Sequence, residues 1–271
     1  MAISDISLTS GMRNNLLALQ KTSSQITQTQ DRLSSGKKVN SALDNPTNFF
    51  AAQNATSRAS DLDDRKDGMS EAVQMIKSAN NGITAITALI QSAKGLASAA
   101  AATNDTLSQL TYESQFVQIQ SQITTLASDS GYRGTNLLAS GTLSIEFSQV
   151  TGDANLTVSG FSADAGTLGV TSATGWDTVA NATQAMSNME NALTTLRSKS
   201  STLASNLDVI TARQNFTTQM INTLQTGADN LTLADMNMEG ANMLALQTRQ
   251  SLGTTALSLS SQAAQSILKL F

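Results

Sequence analysis

Apolar residues that recur at every seventh position over long stretches are the strongest constraint on this chain, because helices packed along shared seams are what satisfy such a period. Leu62, Met69, Ile76, Ile83, Ile90 and Ala97 keep strict sevens, with Ala72, Ala79, Ile86 and Ala93 beside them. A later region has two such lines. One is Met189, Leu196, Leu203, Ile210, Thr217 and Leu224; the other is Met186, Leu193, Ser200, Leu207, Gln214 and Ile221. Each region is the partner the other requires, so Leu62, Met69, Ile76, Ile83, Ile90, Met189, Leu196, Leu203 and Ile210 are the expected middle-helix packing residues.

Shorter segments flank these rods. Met12, Leu19, Ile26 and Leu33 lie a heptad apart, with Leu16 and Ser23 as the second line of a helix over about residues 5–33. The only proline, Pro46, follows Asp44 and Asn45, which predicts a capped helix start. Asn104-Asp105-Thr106 predicts a third helix whose face is Tyr112, Phe116, Ile119, Ile123 and Leu126, ended by Ser130-Gly131. From Thr142 the period changes to two. Leu143, Ile145 and Phe147 alternate with polar residues, Thr151-Gly152-Asp153 turns, and Leu156 and Val158 alternate again, which predicts a β-hairpin. Residues 160–175, rich in Gly, Ser and Thr, read as a surface loop. Thr232 and Asp235 have capping-box spacing ahead of a last helix. Its face includes Met243, Leu246, Leu257, Ala264, Ile267 and Phe271.

The expected fold class is mainly α, with long coiled-coil-like helices, a terminal helix pair and one small β-hairpin. Residues 1–37 with 232–271 form the expected terminal domain. Residues 38–231 form a helical bundle with the hairpin around 140–160 and no large outer variable domain.

Composition narrows the function. Charged residues are 13% of the chain, against about 25% in ordinary globular domains. With a net charge of −4 and no basic cluster interleaved with aromatics, nucleic acid is not an expected partner. There is no cysteine and no histidine, so the usual metal ligands, nucleophile and general base are missing. An enzyme, a metal site and a cofactor are therefore not expected. Asp61, Asp63, Asp64 and Asp67 do not fit a calcium loop, since Arg65 and Lys66 stand where a ligand and the turn glycine are needed. No run reaches the roughly 18 apolar residues of a membrane span, so membrane insertion is not expected. The first residues also lack the pattern of a cleaved secretory signal.

The two ends are unusual helices. Between Gly240 and Phe271 the only charges are Arg249 and Lys269, and before Asp31 the first helix has only Asp5, Arg13 and Lys21. Isolated helices of this kind are marginal, and a hairpin of two still leaves uncharged apolar surface in water. Association between subunits is the expected way to cover it.

Three stretches then carry a resemblance. LSSGKKVNSALDNPTNFFAAQ (residues 33–53), GYRGTNLL (131–138) and the segment from Ala228 to Phe271 resemble bacterial flagellin, over nearly the whole chain. Asn45-Pro46-Thr47 departs from the acidic, alanine-rich stretch of many flagellins and resembles a short-flagellin subgroup. The resemblance implies a homo-oligomeric helical filament used for motility, with Leu8, Met12, Leu16, Leu19, Ile26, Leu33, Met243, Leu246, Leu257, Ala264, Ile267 and Phe271 packing its core. It also implies an extracellular flagellum, export by the flagellar secretion apparatus without signal cleavage, an export chaperone, and cap and hook-associated partners. Flagellins are sensed by a Toll-like innate receptor through a segment that Gln91, Ser92, Gly95 and Leu96 resemble. Ser92 and Gly95 replace the Arg and Glu of well-sensed relatives, which predicts weak activation. A hook-filament junction protein and a secreted membrane-active translocator are the alternatives.

Overall fold

The computed structural model describes residues 10–148, 154–172 and 175–268. Leu8, Phe271 and the expected hairpin turn at 151–153 lie outside them, as does the side chain of Ile267. The elements in order are α1 (Ser10–Ser35), α2 (Pro46–Ala101), α3 (Thr106–Asp129), β1 (Thr142–Glu146), β2 (Asn155–Ser159), α4 (Val179–Thr232) and α5 (Met236–Leu268). The fold is mainly α, with long helices, a paired α1 and α5, and one two-stranded hairpin. Two compact units divide it: the chain up to Ser57 together with that from Thr223 onward, and Arg58–Asn222.

Within the Arg58–Asn222 unit the seven-residue lines form the core. Met69, Ile76, Ile90, Ala93, Ala97, Met189, Leu196 and Ile210 are wholly buried, and Leu62, Ile83 and Leu203 nearly so. Alanine at so many seam positions lets helices approach closely, while the large aliphatics fill the space between. Polar pairs interrupt the seam at fixed levels. Gln214 Nε2 donates to Ser70 Oγ at 2.7 Å, and Ser200 Oγ donates to Asn80 Oδ1 at 3.0 Å, so α2 and α4 run antiparallel. Satisfied pairs of this kind specify register, because a seven-residue slip in either direction would set Ser70 and Asn80 against leucine or isoleucine of α4.

Helix starts follow the expected chemistry. Asn45 Oδ1 accepts from the Asn48 amide at 3.0 Å with Pro46 next in line, and Asp105 accepts from the Ser108 amide at 3.0 Å. Bonding to Ser108 holds the Asp105 carboxyl below the usual range. Thr178 Oγ1 accepts from the Asn181 amide and opens α4. From α3, Phe116, Ile123 and Ala127 enter the core, with Tyr112, Ile119 and Leu126 packed at its edge. The hairpin pairs Leu143 with Val158 and Ile145 with Leu156, and it buries Ile145 and Val158 against the helices.

Of the expected surface loop, residues 160–172 pack against the core instead. Ala163, Ala165 and Val170 are essentially inaccessible, Leu168 is 8% exposed, and Phe161 packs beside them. The polar composition hid this because small apolar residues spaced among Gly, Ser and Thr pack wherever the backbone can be satisfied. Here the Phe161 and Ala163 amides donate to Leu137 and Leu138 carbonyls, at 2.8 and 2.9 Å. Asp164 anchors the turn by accepting from Ser162 Oγ, the Thr167 amide and Thr167 Oγ1, which lowers its carboxyl to about 2. The segment delivers Trp176, 1% exposed, onto Phe116 with ring centroids 4.7 Å apart, and the Trp176 amide donates to Glu113 Oε2.

Gly160 is the close approach that this strap needs. A Cβ there would lie 2.4 Å from the carbonyl oxygens of both Gly141 and Leu137, groups of the backbone that cannot step aside cheaply. Gly160→Ala is expected to destabilise this unit by about 1–3 kcal/mol, as overpacking does. Urea unfolding followed by circular dichroism measures it, and an unchanged midpoint would contradict the close approach.

Candidate assembly surface on the terminal helices

α1 and α5 pair along one face of each. On α1 the covered line is Met12, Leu19, Ile26 and Leu33, with Met12 8% exposed and the others half-buried. The second line differs from the expected one. It is Asn15, Thr22 and Thr29, with both threonines buried, whereas Leu16 is 40% exposed and Ser23 lies in solvent. Thr22 Oγ1 donates to the Ala18 carbonyl at 2.9 Å, which satisfies its hydroxyl within the helix and leaves the methyl group to pack.

On α5 the covered face holds Met243, Leu246, Gly253, Leu257 and Ala264, all half-buried. Gly253 allows the closest approach to α1, since a Cβ there would lie 2.7 Å from Leu19 Cδ2. At the other end of the pair, Arg32 Nη1 meets Glu239 Oε1 at 3.1 Å, with the Glu239 side chain 10% exposed.

The joint between the helices is held by backbone. Gly36, at φ +70°, ends α1 and its carbonyl accepts from the Ala234 amide, while the Lys38 and Val39 amides donate to the Thr232 carbonyl. Thr232 is therefore not part of a capping box: it closes α4, and its hydroxyl bonds back to the Ala228 carbonyl. Asp235 alone caps α5, accepting from the Asn237 and Met238 amides at 2.9 and 3.2 Å.

The pairing leaves a second apolar surface open. Leu17 is 62% exposed, Leu244 and Leu252 each 67%, and Leu259 61%. Leu252 and Leu259 lie seven apart, but on the side of α5 that faces away from the Met243, Leu246 and Leu257 stripe. The signal that could find them is bulky apolar residues outside the stripe of a helix with almost no charge. No helix among the described residues is long and apolar enough to cross a membrane. In the other unit, Gln91, Ser92 and Gly95 are exposed on α2 and Leu96 is half-buried. Ser92 and Leu96 border a shallow hollow shared with Gln115, Gln118, Ile119 and Gln122 of α3.

Residues 6–142 match the family described as the bacterial flagellin N-terminal helical region. The chain belongs to the bacterial flagellin family. Flagellin FljM of Caulobacter vibrioides is 31% identical across the whole of both chains, and flagellin FljO of the same organism is 29% identical across the whole of both. A flagellin of Brucella melitensis is 27% identical over 94% of this chain and 95% of its own. A flagellin is a structural subunit, not an enzyme, and this one is an extracellular filament protein that assembles with copies of itself through its terminal helices. The apolar surface on α1 and α5 is what such assembly requires: a helix that is half-covered in one molecule is fully covered among several.

Proposed function

We propose that α1 and α5 pack the filament core, with Met12, Leu19, Ile26, Leu33, Met243, Leu246, Leu257 and Ala264 closing the pair within each subunit. Leu8, Ile267 and Phe271 extend this packing in the polymer, and Leu16 is shared between subunits. Residues 1–37 with 232–271 constitute the core domain, and residues 38–231 the bundle around it. The observation behind this reading is the exposure of Leu17, Leu244, Leu252 and Leu259 on helices with almost no charge to keep them in solvent. Such a surface favours repeated association over a solitary fold.

The chain leaves the cell through the flagellar secretion apparatus without signal cleavage. Before assembly an export chaperone covers the C-terminal helix, where Met236 and Met238 are 47% and 60% exposed and suit an adaptable partner. Cap and hook-associated proteins contact the ends of the finished polymer.

Electron microscopy of concentrated protein tests the assembly: long helical filaments are expected, lost when residues 4–21 or 251–271 are trimmed. Hydrogen exchange on dilute monomer gives a second check, with α1 and α5 far less protected than α2 and α4. Equal protection would sink the reading. Because Ser92 and Gly95 are uncharged, weak activation of a Toll-like receptor is expected in a reporter-cell assay. Potency matching a well-sensed flagellin would overturn that expectation.

A further inference from the structure

Glycine weakens a helix interior, yet α2 places one on its buried face. Gly68 and Gly95 are exposed, whereas Gly82 is buried. A Cβ on Gly82 would lie 2.2 Å from Ser130 Oγ and 2.7 Å from Leu138 Cδ1, so the turn after α3 reaches the helix only because that atom is missing. The turn is tied down beside it, since Ser78 Oγ donates to the Ser130 carbonyl at 3.1 Å. Packing therefore fixes the glycine, and the residue before it is Asn81, exposed to water. Every other asparagine of the chain precedes a residue with a side chain. Asparagine followed by glycine is the pair in which side chain and backbone react most readily, because no Cβ hinders the glycine amide nitrogen from reaching the asparagine Cγ.

We propose that Asn81 and Gly82 form a self-modification site that is open in the unfolded chain and closed in the folded bundle, so that it limits how long a subunit can wait before folding. In the unfolded chain the Gly82 amide nitrogen gives up its proton and attacks Asn81 Cγ. A carbon–nitrogen bond forms there, and the side-chain nitrogen leaves as ammonia. Water then opens the resulting succinimide at either carbonyl, leaving aspartate or isoaspartate at position 81. Within α2 the first step is blocked: the Gly82 amide is committed to the carbonyl of Ser78, four residues back, and the helical backbone holds it away from Asn81 Cγ. The two products differ in consequence. Aspartate keeps the length of the backbone, faces water and stands four residues after Lys77, an ordinary pair on a helix surface. Isoaspartate routes the main chain through the former side chain and adds one backbone carbon in the middle of the helix. That interrupts the hydrogen-bond ladder and turns Ile83, Ile86 and Ile90, all buried, off the seam with α4. A chain aged in this way cannot complete the bundle. Nothing in this depends on the filament or on the export route.

Ageing the full chain at mildly alkaline pH tests it, with one sample folded as dilute monomer and one in guanidinium chloride. Tryptic cleavage after Lys77 and Lys94 isolates residues 78–94. Mass then reports conversion at position 81, and chromatography separates aspartate from isoaspartate. Conversion in the folded sample is expected to be slower by about a hundredfold or more, because the site opens only when the bundle does. When the denaturant is removed from the other sample, the protease-resistant refolded fraction is expected to hold asparagine and aspartate at 81, with isoaspartate confined to the fraction that fails to refold. Asn81→Gln, whose side chain has to close a larger ring, should keep its refolding yield through the same ageing while the parent loses it. Equal conversion in the two samples would mean that α2 does not close the site. Isoaspartate present in the refolded fraction at its share of the whole would mean that the added carbon does not bar folding. Either result overturns the proposal, as does an Asn81→Gln chain that loses its yield as fast as the parent.

Discussion

Aspartate at both Leu252 and Leu259 is expected to abolish filament growth at concentrations where the parent chain polymerises, while the circular dichroism of the dilute monomer stays that of the parent. Both side chains are more than half exposed in the single chain, so the monomer loses little packing when they are replaced. In the polymer the same positions leave water. Burying a leucine contributes about 1.5–3 kcal/mol, so removing two costs at least about 3 kcal/mol per subunit, or roughly a hundredfold in critical concentration. A carboxylate carried into the contact adds several kcal/mol of desolvation, and α5 has few cations to pair with it. Sedimentation and electron microscopy across a concentration series measure the outcome. If the double variant polymerises at the parent's critical concentration, the outward leucines are not the contact. Leu257→Asp should behave differently, because Leu257 is half-buried on the α1-facing side, and its loss should disturb the helix pair already in the monomer.

Trp176→Ala is expected to destabilise the Arg58–Asn222 unit by about 3–5 kcal/mol, the range for deleting a buried aromatic side chain. Trp176 is the largest of the fully buried side chains, and it closes the gap between α3 and the strap that ends at α4. Trp176→Phe should cost much less than its loss of volume suggests. The indole Nε1 is buried with no hydrogen-bond partner, and phenylalanine removes that donor together with its desolvation cost of about 1–3 kcal/mol. Urea unfolding followed by circular dichroism compares the variants, since the only tryptophan is then gone as a fluorescent probe. A cost for Trp176→Ala below about 1 kcal/mol, typical of surface substitutions, would mean that the strap does not hold the bundle. The strap also has an acid limit. Hydrogen bonds from Ser162 and Thr167 hold the Asp164 carboxyl at about 2, below the usual carboxylate range. Its contribution is therefore complete above the unfolded value and is lost as pH falls toward the folded one.

The long helices, the partnership of the two heptad regions, the hairpin and the capped starts near Asn45 and Asp105 are legible in the amino-acid order. Each depends on a short-range rule: a period of seven or two, or an acceptor side chain placed just before a helix. The weakly charged ends likewise disclosed that the molecule is built to associate. Tertiary structure decided three things that no local rule contains. It buried Thr22 and Thr29 on α1 while Leu16 was left exposed, because a threonine whose hydroxyl bonds back to its own helix packs like a small apolar residue against a matching neighbour. Thr232 became the end of α4, because the chain after Gly36 folds back onto its carbonyl. Residues 160–172 were drawn into the core, because the carbonyls of Leu137 and Leu138 receive the amides of Phe161 and Ala163. In each case hydropathy describes one side chain at a time, whereas burial depends on what lies opposite, and that neighbour comes from a distant part of the chain.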